Sequence, residues 1–455
     1  MTLRRLSVAI VAAILLAGCA TAPGWRLRAP VVATPWSIAF GGSASEPVVS
    51  DGWLYVGSAD GFVSASDART GVLRWRFAAN AAVNVTPLVH GRSIFVGSDG
   101  GDFFALDAAS GNLHWSIDAG RPVSSAALVV AGRVYFVANE LRRIPGSRPI
   151  ARGTLFALDA ESGAEHWSWG GDELLSPPLR VGDLLIVVAR EVVAGSSHWS
   201  LHALDSDSGE PRWSRELRGR QPGPLLLADG RLFVVAKAAS AGRDNGPFIP
   251  SLYAFDPASG TQLWQHRGAP HQSGIRAAVL GKTALVGTNR GIQALDAASG
   301  ARLWSWDPEG QVSSESLQAA GLVVVPAQAA EKVEARATHS HAHLESRTHA
   351  LDPATGELRW SAQAGDNPVV RGIIDEIVYV QSDDRMTALD LATGRRLWSF
   401  TTGKVELHFA QFSAGPVAFD GMVCFVTRTN APYQQPVIPG RLFCVDVETG
   451  TLPSE

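Results

Sequence analysis

Apolar and polar residues alternate along this chain in short runs broken by Gly, Asp, Asn and Pro. Leu155-Phe156-Ala157-Leu158 is one such run, and its β-favouring composition predicts a strand. Pro87-Leu88-Val89-His90-Gly91-Arg92-Ser93-Ile94-Phe95-Val96-Gly97 predicts two more strands around a tight turn. The pattern then repeats: a small residue, an apolar one, Asp, two variable positions, Ser or Thr, Gly, three further residues, and Trp. The copies are Asp67-Gly71-Trp75, Asp107-Gly111-Trp115, Asp159-Gly163-Trp167, Asp205-Gly209-Trp213, Asp256-Gly260-Trp264, Asp296-Gly300-Trp304, Asp352-Gly356-Trp360 and Asp390-Gly394-Trp398, with a ninth, Asp446-Gly450, that lacks its Trp. Asp and Trp are always eight residues apart, whereas successive Asp residues are 38 to 56 apart. The motif is rigid and the intervals are elastic.

Each part of the motif has a physical reason. The Asp carboxylate can fold onto nearby backbone N–H groups and start a turn. The Gly supplies the positive φ that a side chain resists. The Trp on the following strand can cover a neighbouring unit while its indole N–H seeks an acceptor. Two strands upstream of the motif and one on either side of its turn make four antiparallel strands per unit. One such sheet cannot shield both of its faces, so the units must stack, and stacking that closes radially gives a closed all-β propeller. Pro35-Trp36-Ser37-Ile38 has the character of the Trp-bearing outer strand moved to the front of the chain. Joined to the last unit it would latch the ring and remove exposed edges.

These residues resemble the quinoprotein-type propeller repeat with its tryptophan-docking motif, over nearly all of residues 35–455. The regular Gly-His to Trp-Asp pairing of WD40 repeats and the Gly-Gly strands of kelch repeats are absent. Eight blades are usual in the family; the count here favours nine. The resemblance brings pyrroloquinoline quinone (PQQ) and calcium into view as a cofactor pair, with a dehydrogenase as the alternative activity. Against it, the chain has no adjacent cysteines, and most aspartates already have a turn to build. No Gly-x-Ser-x-Gly, His-Glu-x-x-His or phosphate-cradling loop points to a hydrolase. The expectation is therefore no catalytic residues and no cofactor.

The N-terminus changes the picture further. Arg4 and Arg5 precede an apolar stretch from Val8 to Leu16, and Leu16-Ala17-Gly18-Cys19 resembles a bacterial lipobox. That implies a signal peptide over 1–18, lipidation at Cys19, a tether over 19–34 and one propeller domain over 35–455. An ordinary secretion signal with an incidental Cys19, and twin-arginine export, are the alternatives. No later apolar run reaches the roughly 18 residues needed to span a bilayer, and a net charge of −4 gives no overall field for nucleic acid. An anchored propeller resembles the propeller-lipoprotein family of the outer-membrane β-barrel assembly machinery. The resemblance implies a scaffold in the outer membrane facing the periplasm, with envelope proteins, the β-barrel assembly subunits among them, as partners. A surface lipoprotein that captures a small ligand in the central channel is the third reading.

Insertions give a separate clue. Five units carry extra residues at the equivalent place between the second and third strands, about 140–153, 190–199, 237–250, 327–348 and 428–441, and equivalent loops emerge on one rim. Together these stretches carry +6, against −4 for the whole chain. Arg142, Arg143, Arg148 and Arg152 dominate, with Phe248, Ile249, Tyr433 and Ile438 as apolar candidates for a partner-binding rim; tolerated solvent insertions are the alternative. His339, His341 and His343 alternate as a zinc or copper site would require, although the charged residues around them also describe a solvated hairpin. Cys424 and Cys444 face each other if their hairpin is symmetric about Gln434, which would place a disulfide in an oxidising compartment. Alternatively Cys444 fills the small-residue position held by Ala157 and Ala203 in other units.

Overall fold

The computed structural model describes residues 36–450 except 143–149, 175, 194–195, 218–222, 240–247, 269–275, 289, 309–310, 313–317, 329–345, 366–367, 383–384, 402–409, 413–414 and 430–439. The described residues all fall in the second of the two units into which the chain divides, residues 33–455. The second unit is all strand among the described residues, arranged as nine four-stranded antiparallel blades of a β-propeller. Blade 1 shows the plan: strand A is Val48–Ser50, B is Trp53–Ser58, C is Phe62–Asp67 and D is Leu73–Ala78. The A strands line the hub, and those of blades 9, 1 and 2 and of blades 5 to 8 touch their neighbours.

Blade 9 takes its D strand from the other end of the chain. Trp36–Ala39 pairs antiparallel with Arg441–Asp446, Trp36 opposite Cys444. Short additional strands, Gln311–Val312 and Ala410–Phe412, extend blades 7 and 9.

The repeat motif becomes the joint between blades. In all nine copies the motif Asp Oδ1 accepts the N–H of the Ser or Thr three residues on, at 2.7–3.0 Å. The Gly N–H then donates to the Asp carbonyl at 2.8–2.9 Å. Each motif Gly has a φ between +64° and +75°. The indole of the preceding blade lies flat on that Gly, and a Cβ there would fall within 2.7 Å of the ring, as at Gly300 under Trp264. Each indole N–H donates to the carbonyl of the residue after the Asp, at 2.7–3.3 Å. Trp75 reaches Ala108, Trp398 reaches Val447, and Trp36 on the latch strand reaches Ala68 of blade 1. Nine indoles on nine glycines therefore make an unbroken cycle, and the strand count and the docking count agree on nine.

Two local devices aim the indole. Opposite each Trp on strand C stands a small, fully buried residue, Ala in eight blades and Cys444 in the ninth. A β-bulge immediately before the Trp shifts the register in those eight blades: Ala65 faces Trp75 but Ser66 faces Leu73, leaving Arg74 as the extra residue. The bulge turns that residue back toward the turn. Arg74, Arg212 and Arg359 consequently pair with Asp67, Asp205 and Asp352 at 3.2, 2.6 and 2.6 Å.

Cys424 and Cys444 are disulfide-bonded directly across the B–C pair of blade 9, with Cα atoms 4.1 Å apart and both side chains fully buried. The bridge occupies the row that in blade 1 holds Tyr55, Ala65 and Trp75. A closed loop of this length contributes about 3 kcal/mol in the chain-entropy treatment.

Docking should dominate local stability. Gly300→Ala combines a left-handed penalty of roughly 1–2 kcal/mol with an overlap against Trp264 of roughly 1–3 kcal/mol. Gly281, in the A–B turn of the same blade, has φ +56° but nothing within 4 Å of its Cβ, so Gly281→Ala should show the first effect alone. Denaturant titration of both variants checks this; equal losses would remove the indole from the account.

Acid should loosen the turns. The motif carboxyls are held below the usual range, at Asp107, Asp159, Asp256, Asp296 and Asp390 by the hydroxyl and then the N–H of the Ser or Thr three residues on. Asp352 is pulled to about 2, first by Arg359 and then by the N–H groups of Ala354 and Thr355. Groups depressed in the folded state stabilise it above the unfolded carboxyl value of about 3.9 and lose that contribution as pH falls through the folded value. The melting temperature should thus drop between about pH 4 and pH 2. A flat melting profile over that interval would contradict it.

Candidate functional site

The antiparallel alternation sorts the loops onto two faces. Docking turns share theirs with the A–B turns, because the residue after the motif Asp donates its N–H to an A–B turn carbonyl: Ala68 to Gly52, Ala160 to Gly132, Val447 to Gly421. The B–C hairpins, where all five insertions fall, therefore emerge on the opposite face. Arg142 ends the strand Arg133–Arg142 opposite Ile150, and Arg152 is exposed opposite Glu140. Phe248 opens the strand Phe248–Phe255 opposite Ala239, with Ile249 opposite Ala238. Arg143, Arg148, Tyr433, Ile438, His339, His341, His343 and Cys19 lie outside the described residues.

One feature of this face was not legible from the repeat. In blades 3 and 4 the insertions lengthen the strands to ten residues, and the D strand of blade 3, Glu165–Leu174, pairs with the B strand of blade 4, Leu184–Val193. The register is Glu173 opposite Arg190 and Leu174 opposite Ala189, fusing the two blades into an eight-stranded sheet. Arg190 pairs with the mostly buried Glu173. The Asn139 amide adds a clamp, donating to the Leu174 carbonyl at 2.7 Å and accepting its N–H at 3.0 Å. The hairpin end of this sheet, to which Arg142 and Arg152 belong, is thus carried on braced strands. Rigid backing of this kind lowers the ordering cost of binding.

The A strands of the hub are mostly apolar, as in Leu128–Val130, Leu225–Ala228 and Val417–Phe419. Calcium-bound quinone would require convergent oxygen donors. Among the described residues no three His, Cys, Asp or Glu side chains converge to hold a metal. The motif carboxylates are committed to their turns. Two perturbed groups elsewhere pack against indoles: burial, and then Arg347, pushes His349 down, and its ring lies 5.2 Å from Trp306 of the preceding blade. Burial raises the hydroxyl of Tyr379, which packs 6.0 Å from the docked Trp398.

Comparison with known proteins supports this picture of the fold. A quinohemoprotein alcohol dehydrogenase from Comamonas testosteroni is 18% identical, with a TM-score of 0.56 over 93% of this chain and 77% of that one. Another, ADHIIG from Pseudomonas putida HK5, is 17% identical, with a TM-score of 0.55 over the same shares. BamB from Moraxella catarrhalis is 14% identical, with a TM-score of 0.48 over 90% of this chain and 96% of that one. No curated protein matches the chain. The family model described as outer membrane protein assembly factor BamB matches residues 22–96, 85–246 and 250–452. The chain belongs to that family.

Proposed function

We propose that this protein is a non-catalytic scaffold of the bacterial envelope, anchored by lipid at Cys19 in the outer membrane and facing the periplasm, that binds other envelope proteins through its insertion-bearing face. Subunits that assemble outer-membrane β-barrels are the partners this reading favours, in keeping with the name of the family. The observation that carries it is the segregation of loops. Insertions from five blades share one face and bring it +6, while the opposite face is given over to docking turns. Loops grafted on a rigid ring are a common place for recognition, and a locally basic rim complements an acidic protein surface. The carboxylates that a cofactor would need are hydrogen-bonded within the turns, which supports contact as the role and not chemistry.

Charge reversal tests the rim. Arg142→Glu with Arg143→Glu should lower capture of envelope partners by at least tenfold in crosslinking from intact cells, with the melting temperature unchanged; unaltered capture of every partner would contradict the reading. In parallel, incubation with PQQ and calcium should produce no dye-linked alcohol or sugar oxidation. Turnover there would favour the dehydrogenase alternative.

A further inference from the structure

One of the nine seams between blades departs from the others at two C-strand positions at once. At five seams the indole layer is followed by a second layer, in which the D-strand residue two past the Trp meets the C-strand residue just before the small residue of the next blade. Phe77 meets Phe104 with ring centroids 5.1 Å apart, Trp169 meets His202 at 5.0 Å, Trp306 meets His349 at 5.2 Å and Phe400 meets Phe443 at 5.3 Å. His266 and Gln293 hydrogen-bond at 2.7 Å in the same place. Rings and long side chains fill this layer at those seams, whereas Ala362 and Thr387 stand at the equivalent places between blades 7 and 8.

Blade 1 breaks the pattern on the wall it turns toward the latch. The position before the small residue is Ser64, where three other blades carry Phe and the rest carry Tyr, His, Gln or Thr. The position after it is Ser66, where all eight other blades carry Leu, Phe or Val, as at Leu106 and Phe255. Two adjacent large side chains are thus replaced by hydroxymethyl groups, and both serines are buried, at 9% and 3% exposure. The result is a cavity of about 400 Å³ between the latch strand and blade 1, walled by Ile38, Phe40, Leu54, Val56 and Leu442. That volume lies within the range of small-molecule sites, which join apolar walls to a few fixed polar groups.

Its mouth carries no free charge. Asp60 accepts the N–H of Gly41 at 3.2 Å and the Arg76 guanidinium at 2.9 Å, together with the Ser58 hydroxyl. Arg76 also lies over the Phe62 ring, 3.4 Å from its centroid. An ion entering the cavity would lose its hydration and gain no unpaired counter-charge, which is unfavourable. The space replaces an aromatic ring of the second layer, and the two serine hydroxyls require hydrogen-bonding partners once water is displaced.

From this geometry we infer that the latch seam is a binding site for an uncharged, single-ring ligand bearing a hydroxyl, a phenol in chemical class, seated among Ile38, Phe40, Val56 and Leu442 with its hydroxyl toward Ser64 and Ser66. The inference does not depend on the scaffold reading. Titration of the intact protein with 4-ethylphenol by calorimetry and ligand-observed NMR tests it, with benzoate as the charged counterpart. Saturable one-to-one binding of 4-ethylphenol is expected, with benzoate at least tenfold weaker. Ser66→Leu and Ser64→Phe restore what the other blades carry, so each should fold with an unchanged or higher melting temperature and bind 4-ethylphenol at least tenfold more weakly. Ser66→Leu alone suffices should Phe at 64 prove too large. Absence of saturable binding to the natural protein, equal binding by the Ser66→Leu variant, or benzoate binding as tight as that of 4-ethylphenol would overturn the assignment.

Discussion

An indole lying on a glycine is the constraint from which the rest of this molecule follows. A four-stranded blade has two apolar faces and cannot bury both, so each blade needs its neighbours. The docked Trp supplies a large apolar area, of a kind that contributes roughly 1.5–3 kcal/mol when fully buried. Its N–H fixes the approach by bonding to a carbonyl of the facing turn. That turn presents a bare backbone only because the Gly has no Cβ and tolerates a left-handed φ. The Asp shapes the turn, the small strand-C residue makes room beside the ring, and the bulge sets its angle. Repeating this joint nine times, with Trp36 supplying the ninth indole, leaves no blade without a docked neighbour on both faces.

Much of this was legible because the motif is local. Asp67, Gly71 and Trp75 lie within nine residues, and their chemistry specifies a turn followed by a ring whoever the neighbour is. The displaced strand at Trp36 could be read because the last unit lacks what the first residues supply. Cys424 and Cys444 could be placed opposite each other by hairpin symmetry, although only the coordinates distinguish a bridge from a filled small-residue position. What escaped the reading is what depends on two blades at once. The fusion of blades 3 and 4 through Glu173 and Arg190 joins residues on unrelated hairpins, and no periodicity marks it. Ser64 and Ser66 likewise carry no signal as isolated serines; they stand out only when nine blades are aligned and the wall facing the latch is known. The bulge at Arg74 is encoded by the fixed spacing itself, but spacing alone does not say which residue leaves the ladder.

Function is less tightly bound to the fold. The same propeller architecture is seen in quinohemoprotein alcohol dehydrogenases, while the family the chain belongs to is described by the name of an assembly factor, so the ring does not discriminate chemistry from contact. The proposed scaffold role rests on where side chains are already committed. The motif carboxylates are spent on turns and the hub strands are mostly apolar, while the insertions and their positive charge belong to the B–C hairpins. The division of labour between the faces is therefore a property of the strand alternation: every docking turn falls on one side, and freedom to insert remains on the other.

Hydrogen–deuterium exchange on the Trp36→Ala variant tests the closed cycle most directly. Removing the one indole supplied by the displaced strand should raise exchange in Trp36–Ala39, in its partner strand Arg441–Asp446 and in the facing turn of blade 1, while blades 4 to 6 across the ring keep their protection. Unchanged protection at that seam, or a uniform loss around all nine blades, would contradict a ring held by individual indole joints and closed at Trp36.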